Sequence, residues 1–372
     1  MRAYLLLMAV AGVVTYLATF LVRKTAVKYN IYPKAIRERD MHEKPTPRIG
    51  GLAMFLGFVV SISIAAGIGW FEVVFADPGP IIAIGIAAFI IMVIGFLDDL
   101  YDLDWTLKLA GQFVSAGVLA WNGVQIVSLP IFGITVGSFG VSFVVTVFLT
   151  VLIMNAVNFI DGLDGLVAGV VLIGTVVFFI YSYLLAQQIS PTNYFNLATV
   201  ISAIVIGMCL GFLPHNWHDA KIFMGDGGAL LLGLLMTTSA LTVTGQIDPA
   251  SLNRNDLVPA VLPLILPISI LILPLLDFVL AVVRRLAAGK SPFSADRLHL
   301  HHRLQDFGHS HLGSVLVFYF WSASVSVSCL LLFLTNIVWV VVFAVISLSA
   351  SLVYTVWPAV MKYQARRAAS HV

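Results

Sequence analysis

The sequence predicts an all-α polytopic membrane protein with about eleven transmembrane helices. Hydrophobic residues make up 60% of the 372 residues and charged residues only 10%, a composition typical of integral membrane proteins. Apolar runs long enough to cross a hydrocarbon core of about 30 Å recur along the whole chain. Lysine and arginine are concentrated in alternate connections between these runs, as expected when a chain crosses a membrane many times.

Eleven apolar runs are the predicted spans. The run at 107–122 is short and contains Gln112 and Asn122, which makes it the least apolar. The run at 257–283 is long, and its prolines are expected to kink or divide it. The eleven runs cover residues 3–22, 50–70, 80–97, 107–122, 141–160, 163–185, 195–213, 227–245, 257–283, 313–334 and 336–358.

The basic residues predict the orientation. The connection 23–49 carries eight lysines and arginines, and the same side of the membrane receives 18 of the chain's 20, leaving Arg2 and Arg254 opposite. By the positive-inside rule this side is cytoplasmic, so the N-terminus lies outside and the C-terminus inside. We expect residues 1–372 to form one plasma-membrane domain with its chemistry in cytoplasmic loops, namely 23–49, 98–108, 158–165, 214–226 and 284–312.

The first polar segment, residues 95–104, follows the third predicted span. It carries Asp98, Asp99, Asp102 and Asp104, and no basic residue intervenes before Lys108. On a helix Asp98 and Asp102 share a face, as do Asp99 and Asp102. Four carboxylates beside hydrocarbon repel one another unless a cation is present, although a solvated loop is the alternative interpretation.

The second polar segment, residues 155–165, lies between two strongly apolar spans. Its polar residues recur every three positions, so a helix would place them on one face; they are Asn155, Asn158, Asp161 and Asp164. Polar side chains at this depth are costly and usually functional. Oxygen ligands of this kind favour Mg²⁺ or Mn²⁺ over zinc. A capping turn explains Asp164 and Gly165 but not the whole stripe.

Two further segments carry candidate ligands of phosphate or metal. Residues 221–228 open the eighth span with glycines around Asp226, which could equally be a helix cap. Residues 291–303 carry a cluster of basic side chains that suits a diphosphate better than zinc, comprising Arg297, His299, His301, His302 and Arg303. We interpret His215, His218, His309 and His311 as ordinary loop residues.

Together these residues predict phosphoryl transfer that involves a lipid. Acidic groups would hold a divalent cation, basic groups would bind phosphates, and both lie at one membrane surface. Basic residues beside the spans also attract anionic lipid headgroups. The residues alone name no substrate, and nothing in their pattern points to nucleic acid.

The motifs resemble the polyprenyl-phosphate N-acetylhexosamine-1-phosphate transferase family. The matching pieces occur in family order over about 260 residues: 44–51 (Lys-Pro-Thr-Pro-Arg-Ile-Gly-Gly), 98–102, 155–165, 223–226 (Phe-Met-Gly-Asp) and 299–302 (His-Leu-His-His). The histidine motif, continued by Arg303, resembles the N-acetylglucosamine-type members. Muramoyl-pentapeptide transferases instead carry three successive histidines and a lysine where this chain has Asp102.

The resemblance implies a role for each matching residue. Mg²⁺, or Mn²⁺ in its place, would be held by Asn158 and Asp226. Asp98 would orient or deprotonate the lipid phosphate, Asp99 would support the metal or its waters, and Asp161 would belong to the polar floor. The implied substrate-binding residues are Lys44, Asp102, Lys108, Asn155, Asp164, His299, His301, His302 and Arg303, with Asp164 near the uracil.

The resemblance implies attack by the phosphate of a polyprenyl phosphate on the β-phosphorus of UDP-GlcNAc, with UMP as the leaving group, and a homodimer. The same chemistry on UDP-MurNAc-pentapeptide, and a covalent aspartyl intermediate, stay open. Two other classes of membrane protein explain the sequence less well. An intramembrane aspartyl protease leaves the Asn/Asp stripe unexplained, and an ion-coupled transporter should place its acids near the bilayer midplane.

Overall fold

The computed structural model describes residues 1–32, 46–126, 138–189, 195–244, 272–287 and 300–369, with residues 262, 265, 266, 268, 269 and 289. Within these ranges all regular structure is helical. The principal helices are α1 (Arg2–Lys28), α2 (Gly50–Ala66), α3 (Glu72–Phe75), α4 (Pro78–Tyr101), α5 (Trp105–Trp121), α6 (Phe139–Phe159), α7 (Leu166–Ile189), α8 (Leu197–Asn216), α9 (Gly225–Thr244), α10 (Ile272–Ala287), α11 (Leu300–Asp306), α12 (His311–Leu334) and α13 (Ile337–Ala369).

Polar residues set several helix starts. Asp77 accepts a hydrogen bond from the Gly79 N–H at 3.0 Å, with Pro78 in the first turn of α4. Asp104 starts α5 by accepting from the Thr106 hydroxyl and, at 2.9 Å, from the Thr106 N–H; these bonds lower the pKa of the Asp104 carboxyl. Ser138, Asn196 and Ser310 cap α6, α8 and α12 in the same way.

Among the described residues, eight helices are long and apolar enough to cross a membrane. A ninth span results if α2 is joined to the short helical segment after it, across a bend of 88°. The polytopic, helical prediction is therefore confirmed. The number eleven stays a prediction, because α5 has only 17 residues and much of the predicted span 257–283 lies outside the described residues.

Several predicted boundaries are wrong, and the differences all lie at polar segments. Helix α4 continues through Tyr101, so Asp98 and Asp99 lie on a helix and not in a loop after it. Helix α6 ends at Phe159, which breaks the predicted stripe between Asn158 and Asp161. Helices α8 and α12 contain His215 and His311, so neither histidine is the loop residue that the sequence predicts.

Helix α9 is the centre of the described bundle. In its 18-residue apolar stretch 89% of the residues are buried, against 11% in the corresponding stretch of α13. Helix α9 packs against α2, α4, α6 and α8. Glycines allow the closest of these contacts. A Cβ at Gly95 of α4 would overlap the backbone of Gly227 on α9. The first turn of α9 is thereby held against the last turns of α4.

Helix α1 packs along α8, a helix far from it in sequence. Small residues again line the contact: a Cβ at Gly207 would overlap the Met8 carbonyl oxygen, and a Cβ at Gly211 would overlap that of Gly12. Such residues let two helix backbones approach closely in a membrane protein. The two free cysteines lie elsewhere in the bundle, Cys209 fully buried on α8 and Cys329 half-buried on α12.

We predict that Gly95→Ala lowers the melting temperature of the detergent-solubilised protein, whereas Gly85→Ala does not. The methyl group at residue 95 meets backbone atoms of Gly227 that cannot move aside, and such overpacking typically costs about 1–3 kcal/mol. Gly85 lies on the same helix, and a Cβ added there would have no atom within 4 Å, so alanine should gain about 1 kcal/mol of helix propensity. Equal melting temperatures would contradict the close contact.

Candidate active site

A lysine ammonium group between two carboxyl groups forms the centre of the candidate site. Lys108 Nζ lies 3.0 Å from Asp98 Oδ2 and 3.2 Å from Asp226 Oδ2. These residues come from the end of α4, the first turn of α5 and the start of α9. Asp98 is buried, whereas the Lys108 and Asp226 side chains are 24% and 25% exposed. The site is therefore accessible from outside the helix bundle.

Asp99 faces the backbone of α9 and not the lysine. Its Oδ1 accepts a hydrogen bond from the Asp226 N–H at 2.9 Å, and its Oδ2 accepts one from the Gly227 N–H at 3.4 Å. The first N–H groups of a helix have no partner within it, and the helix dipole favours a negative charge there. Asp99 thus acts as an N-terminal cap supplied by another helix and fixes the position of Asp226.

Asn158 completes the group that we call the carboxylate cluster: Asp98, Asp99, Lys108, Asn158 and Asp226. Its side chain lies beside the Asp226 carboxyl group, and its buried Nδ2 has no hydrogen-bond partner of good geometry among the described residues. Three carboxyl groups and one ammonium group therefore converge with an unsatisfied amide. This oxygen-rich set fits a hard divalent cation such as Mg²⁺, which prefers carboxylate and amide oxygens.

The segment before α2 closes one side of the carboxylate cluster. The Phe223 N–H donates to the Pro47 carbonyl at 2.8 Å, and Gly50 and Gly51 donate to the carbonyls of residues 223 and 224 at 3.0 and 2.8 Å. Gly225 follows in a left-handed conformation (φ 74°), where a Cβ would overlap the Arg48 carbonyl and the Asp99 carboxyl group. The described part of the motif 44–51 is thus adjacent to the motif 223–226.

The part of the chain that holds the carboxylate cluster is similar in sequence to known proteins. A family model described as Glycosyl transferase family 4 matches residues 81–244, which include all five residues of the carboxylate cluster. The decaprenyl-phosphate N-acetylglucosaminephosphotransferase of Mycolicibacterium smegmatis is 41% identical over 319 residues, covering 84% of this chain and 77% of the relative. The chain belongs to glycosyl transferase family 4.

Family 4 relatives extend to other bacteria. A probable undecaprenyl-phosphate N-acetylglucosaminyl 1-phosphate transferase of Bacillus subtilis is 36% identical over 317 residues, 84% of this chain and 80% of the relative. An undecaprenyl-phosphate alpha-N-acetylglucosaminyl 1-phosphate transferase of Escherichia coli O157:H7 is 28% identical over 304 residues, 79% and 74% of the two chains. The family resemblance predicted from the motifs is confirmed.

Three further predicted site residues of this family 4 chain lie at the end of α4 and in the turn after α6. Asp102 terminates α4 in a left-handed conformation (φ 55°) and is exposed, so it no longer shares a helical face with Asp98. Asp161 lies in the turn after α6, where its N–H donates to the Asn158 carbonyl at 3.2 Å. Asp164 is buried near two histidines, described below.

Asn155 has a structural partner that the sequence did not indicate. Its Nδ2 donates to the Gln112 Oε1 and, at 2.8 Å, to the Val151 carbonyl, and the Gln112 amide reaches back to Asn155. Gln112 is 3% exposed and lies one helical turn after Lys108. The amide pair joins α5 to α6 directly beneath Lys108 and Asn158. No local spacing indicates this pair, because its members are 43 residues apart in sequence.

The predicted phosphate-binding residues are largely outside the described part of the chain. Lys44 and His299 lie in undescribed segments, and His301 and His302 belong to α11 with their side chains undescribed. Arg303 is exposed on the same short helix. The roles of these residues stay predictions. Sequence reasoning also overlooked Asn216, which is buried and hydrogen-bonds the Gly165 N–H and the Ile222 carbonyl, both at 3.0 Å.

We predict that Gln112→Ala and Asn155→Ala are strongly non-additive in the free energy of unfolding. Either substitution removes both amide contacts and leaves a buried polar group unpaired, which costs about 1–3 kcal/mol. The double variant should therefore lose little more than the worse single variant. As a control, Gln112→Ala combined with Thr19→Ala, on α1, should be additive within about 0.5 kcal/mol. Additivity in both cycles would refute the pairing.

Proposed function

We propose that this protein transfers GlcNAc-1-phosphate from UDP-GlcNAc to a polyprenyl phosphate, giving polyprenyl diphosphate-GlcNAc and UMP. The proposal makes it the first membrane enzyme of a cell-envelope polysaccharide pathway. Its main support is the Lys108 ammonium group held between Asp98 and Asp226 at the open end of apolar helices. Relatives named as polyprenyl-phosphate N-acetylglucosamine-phosphate transferases, at up to 42% identity, support the choice of substrates.

The acceptor in this mechanism is the lipid phosphate. Its second pKa is about 6, so at neutral pH it is largely a dianion and needs no strong base. Lys108 would attract and orient one phosphate oxygen, since its Nζ is the cationic atom at the centre of the carboxylate cluster. Asp98, fixed by the Leu103 N–H at 2.8 Å, would then act mainly by positioning the acceptor.

The transfer itself exchanges one phosphoanhydride bond for another. An oxygen of the lipid phosphate forms a bond to the β-phosphorus of UDP-GlcNAc, and the bond from that phosphorus to the bridging oxygen breaks. The electron pair leaves with UMP. Lys108 can balance the charge that collects on the phosphoryl oxygens, which is the main requirement of such reactions.

Mg²⁺ fits the carboxylate cluster and is proposed as the cofactor. Asn158 and Asp226 would hold it, and Asp99 would support it indirectly by keeping Asp226 in place. When bound, the ion would supply positive charge to the diphosphate of the donor. Mn²⁺ has the same ligand preferences and is expected to replace it.

Further contacts to the donor are proposed from the resemblance. Asp102, Asn155, Asp161 and Asp164 would line or support the donor site, with Asp164 near the uracil. Lys44 would bind the lipid phosphate, and the sugar and diphosphate would be bound by His299, His301, His302 and Arg303. UDP-MurNAc-pentapeptide is the competing donor; the acidic residue 102, where muramoyl-pentapeptide transferases carry lysine, favours UDP-GlcNAc.

We also propose eleven spans in the plasma membrane, an outside N-terminus, a cytoplasmic C-terminus and active site, and a homodimer. The distribution of 18 of the 20 lysines and arginines to one side supports the orientation. The carboxylate cluster lies at the ends of α4 and α6 and at the starts of α5 and α9, which is one side of the bundle.

The reaction is tested with purified protein in liposomes, radiolabelled UDP-GlcNAc, polyprenyl phosphate and Mg²⁺. We expect label in the lipid fraction, UMP release and loss of both on chelation. Asp226→Asn should lower kcat at least about 100-fold, the size of effect typical when one preorganised charged group is lost. Asp104→Asn is the matched control, since residue 104 is an exposed helix cap at which asparagine serves equally well.

Each other outcome has a distinct meaning. Transfer only from another UDP-sugar would keep the chemistry and overturn the proposed donor. Exchange of labelled UMP into UDP-GlcNAc without lipid would overturn direct attack in favour of a covalent intermediate. No transfer from any UDP-sugar would overturn the proposal and favour the transporter.

Reporter fusions test the orientation. A fluorescent protein that matures only in the cytoplasm should be bright at the C-terminus and dark at the N-terminus, and a periplasmic phosphatase should show the reverse. Fusions after residues 28 and 254 give an internal check, because the proposed topology places them on opposite sides. Activity of the same reporter at both termini would require an even number of spans.

A further inference from the structure

A second group of candidate ligands lies at the turn after α6. Asp164, His218 and His311 each offer one ligand atom, and these atoms all lie within 4.8 Å of one another. They come from three distant segments: the turn after α6, the connection between α8 and α9, and the first residue of α12. We call these three residues the histidine–aspartate cluster.

The two imidazole rings of His218 and His311 are already close together and stacked. Their planes are inclined by 13° and their centroids are 5.6 Å apart. Two imidazoles bound to one tetrahedral zinc ion at about 2.0–2.1 Å have centroids roughly 5 Å apart. An ion lies in the plane of each imidazole that binds it, so at least one of the two stacked rings must turn about its side-chain torsions for both to bind one ion.

The third candidate ligand, Asp164, is held in place by hydrogen bonds within the fold. Asp164 is 4% exposed, and its Oδ2 accepts the Ala220 N–H at 3.1 Å. The next residue, Gly165, donates its N–H to Asn216, and its carbonyl accepts the Tyr319 hydroxyl at 2.6 Å. Tyr319 lies on α12 and Asn216 ends α8, so the segments that carry the three candidate ligands are already tied together without an ion.

At His218, an ion bound to Nδ1 would replace one local hydrogen bond. The Nδ1 of His218 accepts the N–H of the neighbouring Asp219 at 3.1 Å, at the exposed surface. An ion bound to this nitrogen takes the place of that hydrogen bond, and the N–H turns to water. The loss is small because water satisfies the exposed donor.

We propose that the histidine–aspartate cluster is a binding site for zinc or a similar transition-metal ion, separate from the carboxylate cluster. Two imidazoles and one carboxylate, with water as a fourth ligand, are a zinc-type set and a poor one for Mg²⁺. The bound ion cross-links α12 to the turn after α6 and to the connection before α9. The site shares Asp164 with the proposed donor site, but metal binding is measured without UDP-GlcNAc, so its failure and the failure of the proposed function are distinguishable.

Metal binding to the purified full-length protein, carrying a tag without histidine, tests the site. We expect one Zn²⁺ per chain after dialysis, the visible absorption of tetrahedral Co²⁺ on cobalt titration, and a higher melting temperature with Zn²⁺. His218→Gln and His311→Gln should each weaken Zn²⁺ and Co²⁺ binding at least tenfold. The exposed position of His218 makes its variant the safer one for folding.

Asp226→Asn is the matched control, since it removes a carboxylate from the carboxylate cluster and leaves the histidine–aspartate cluster intact. It should bind Zn²⁺ and Co²⁺ like the parent protein. Two results would overturn the site: no Zn²⁺ retained by the parent protein, or equal retention by both histidine variants. Size-exclusion profiles identical to the parent's establish that the variants are folded before binding is compared.

Discussion

The constraint on which the structure depends is the placement of three carboxyl groups at the ends of apolar helices. A charge in such surroundings is costly unless it is paired or hydrogen-bonded. Asp98 and Asp226 share the Lys108 ammonium group, Asp99 binds the first N–H groups of α9, and Asn158 lies beside Asp226. Because the compensating groups come from α4, α5, α6 and α9, all four helices must be in register for the acids to be tolerated. The carboxylate cluster thus also determines how the central helices pack.

The sequence predicted the membership of this site better than its internal geometry. The motifs around Asp98, Asn158 and Asp226 were expected at one surface, and the structure brings these residues together with Lys108. The different roles of Asp98 and Asp99 could not be predicted, because neighbours on a helix point about 100° apart and only the packing of α9 determines which side each one faces. In the structure Asp98 pairs with Lys108, whereas Asp99 accepts hydrogen bonds from the backbone N–H groups of α9.

The ends of the helices were the second feature that the sequence did not predict. A period of three among residues 155–164 predicted one polar face, but α6 ends at Phe159 and the later acids turn elsewhere. Likewise Gln112, His218 and His311 have partners 43 or more residues away in sequence, as in the Gln112–Asn155 pair, and no local spacing reports such contacts. Short-range patterns find residues that share a helix; they miss residues that meet only after the bundle has formed.

The contact between α1 and α8 has a consequence for biosynthesis. The glycines that let these backbones touch are separated by the whole of the intervening chain, and roughly 170 residues lie between the end of α1 and the start of α8. At about 5–20 residues per second, the ribosome needs roughly 10–30 s to produce that stretch. During this interval α1 is in the bilayer without its main partner, so its glycine face contacts lipid or the insertion machinery. The first helix to be made therefore reaches its final place only after α8 has been made.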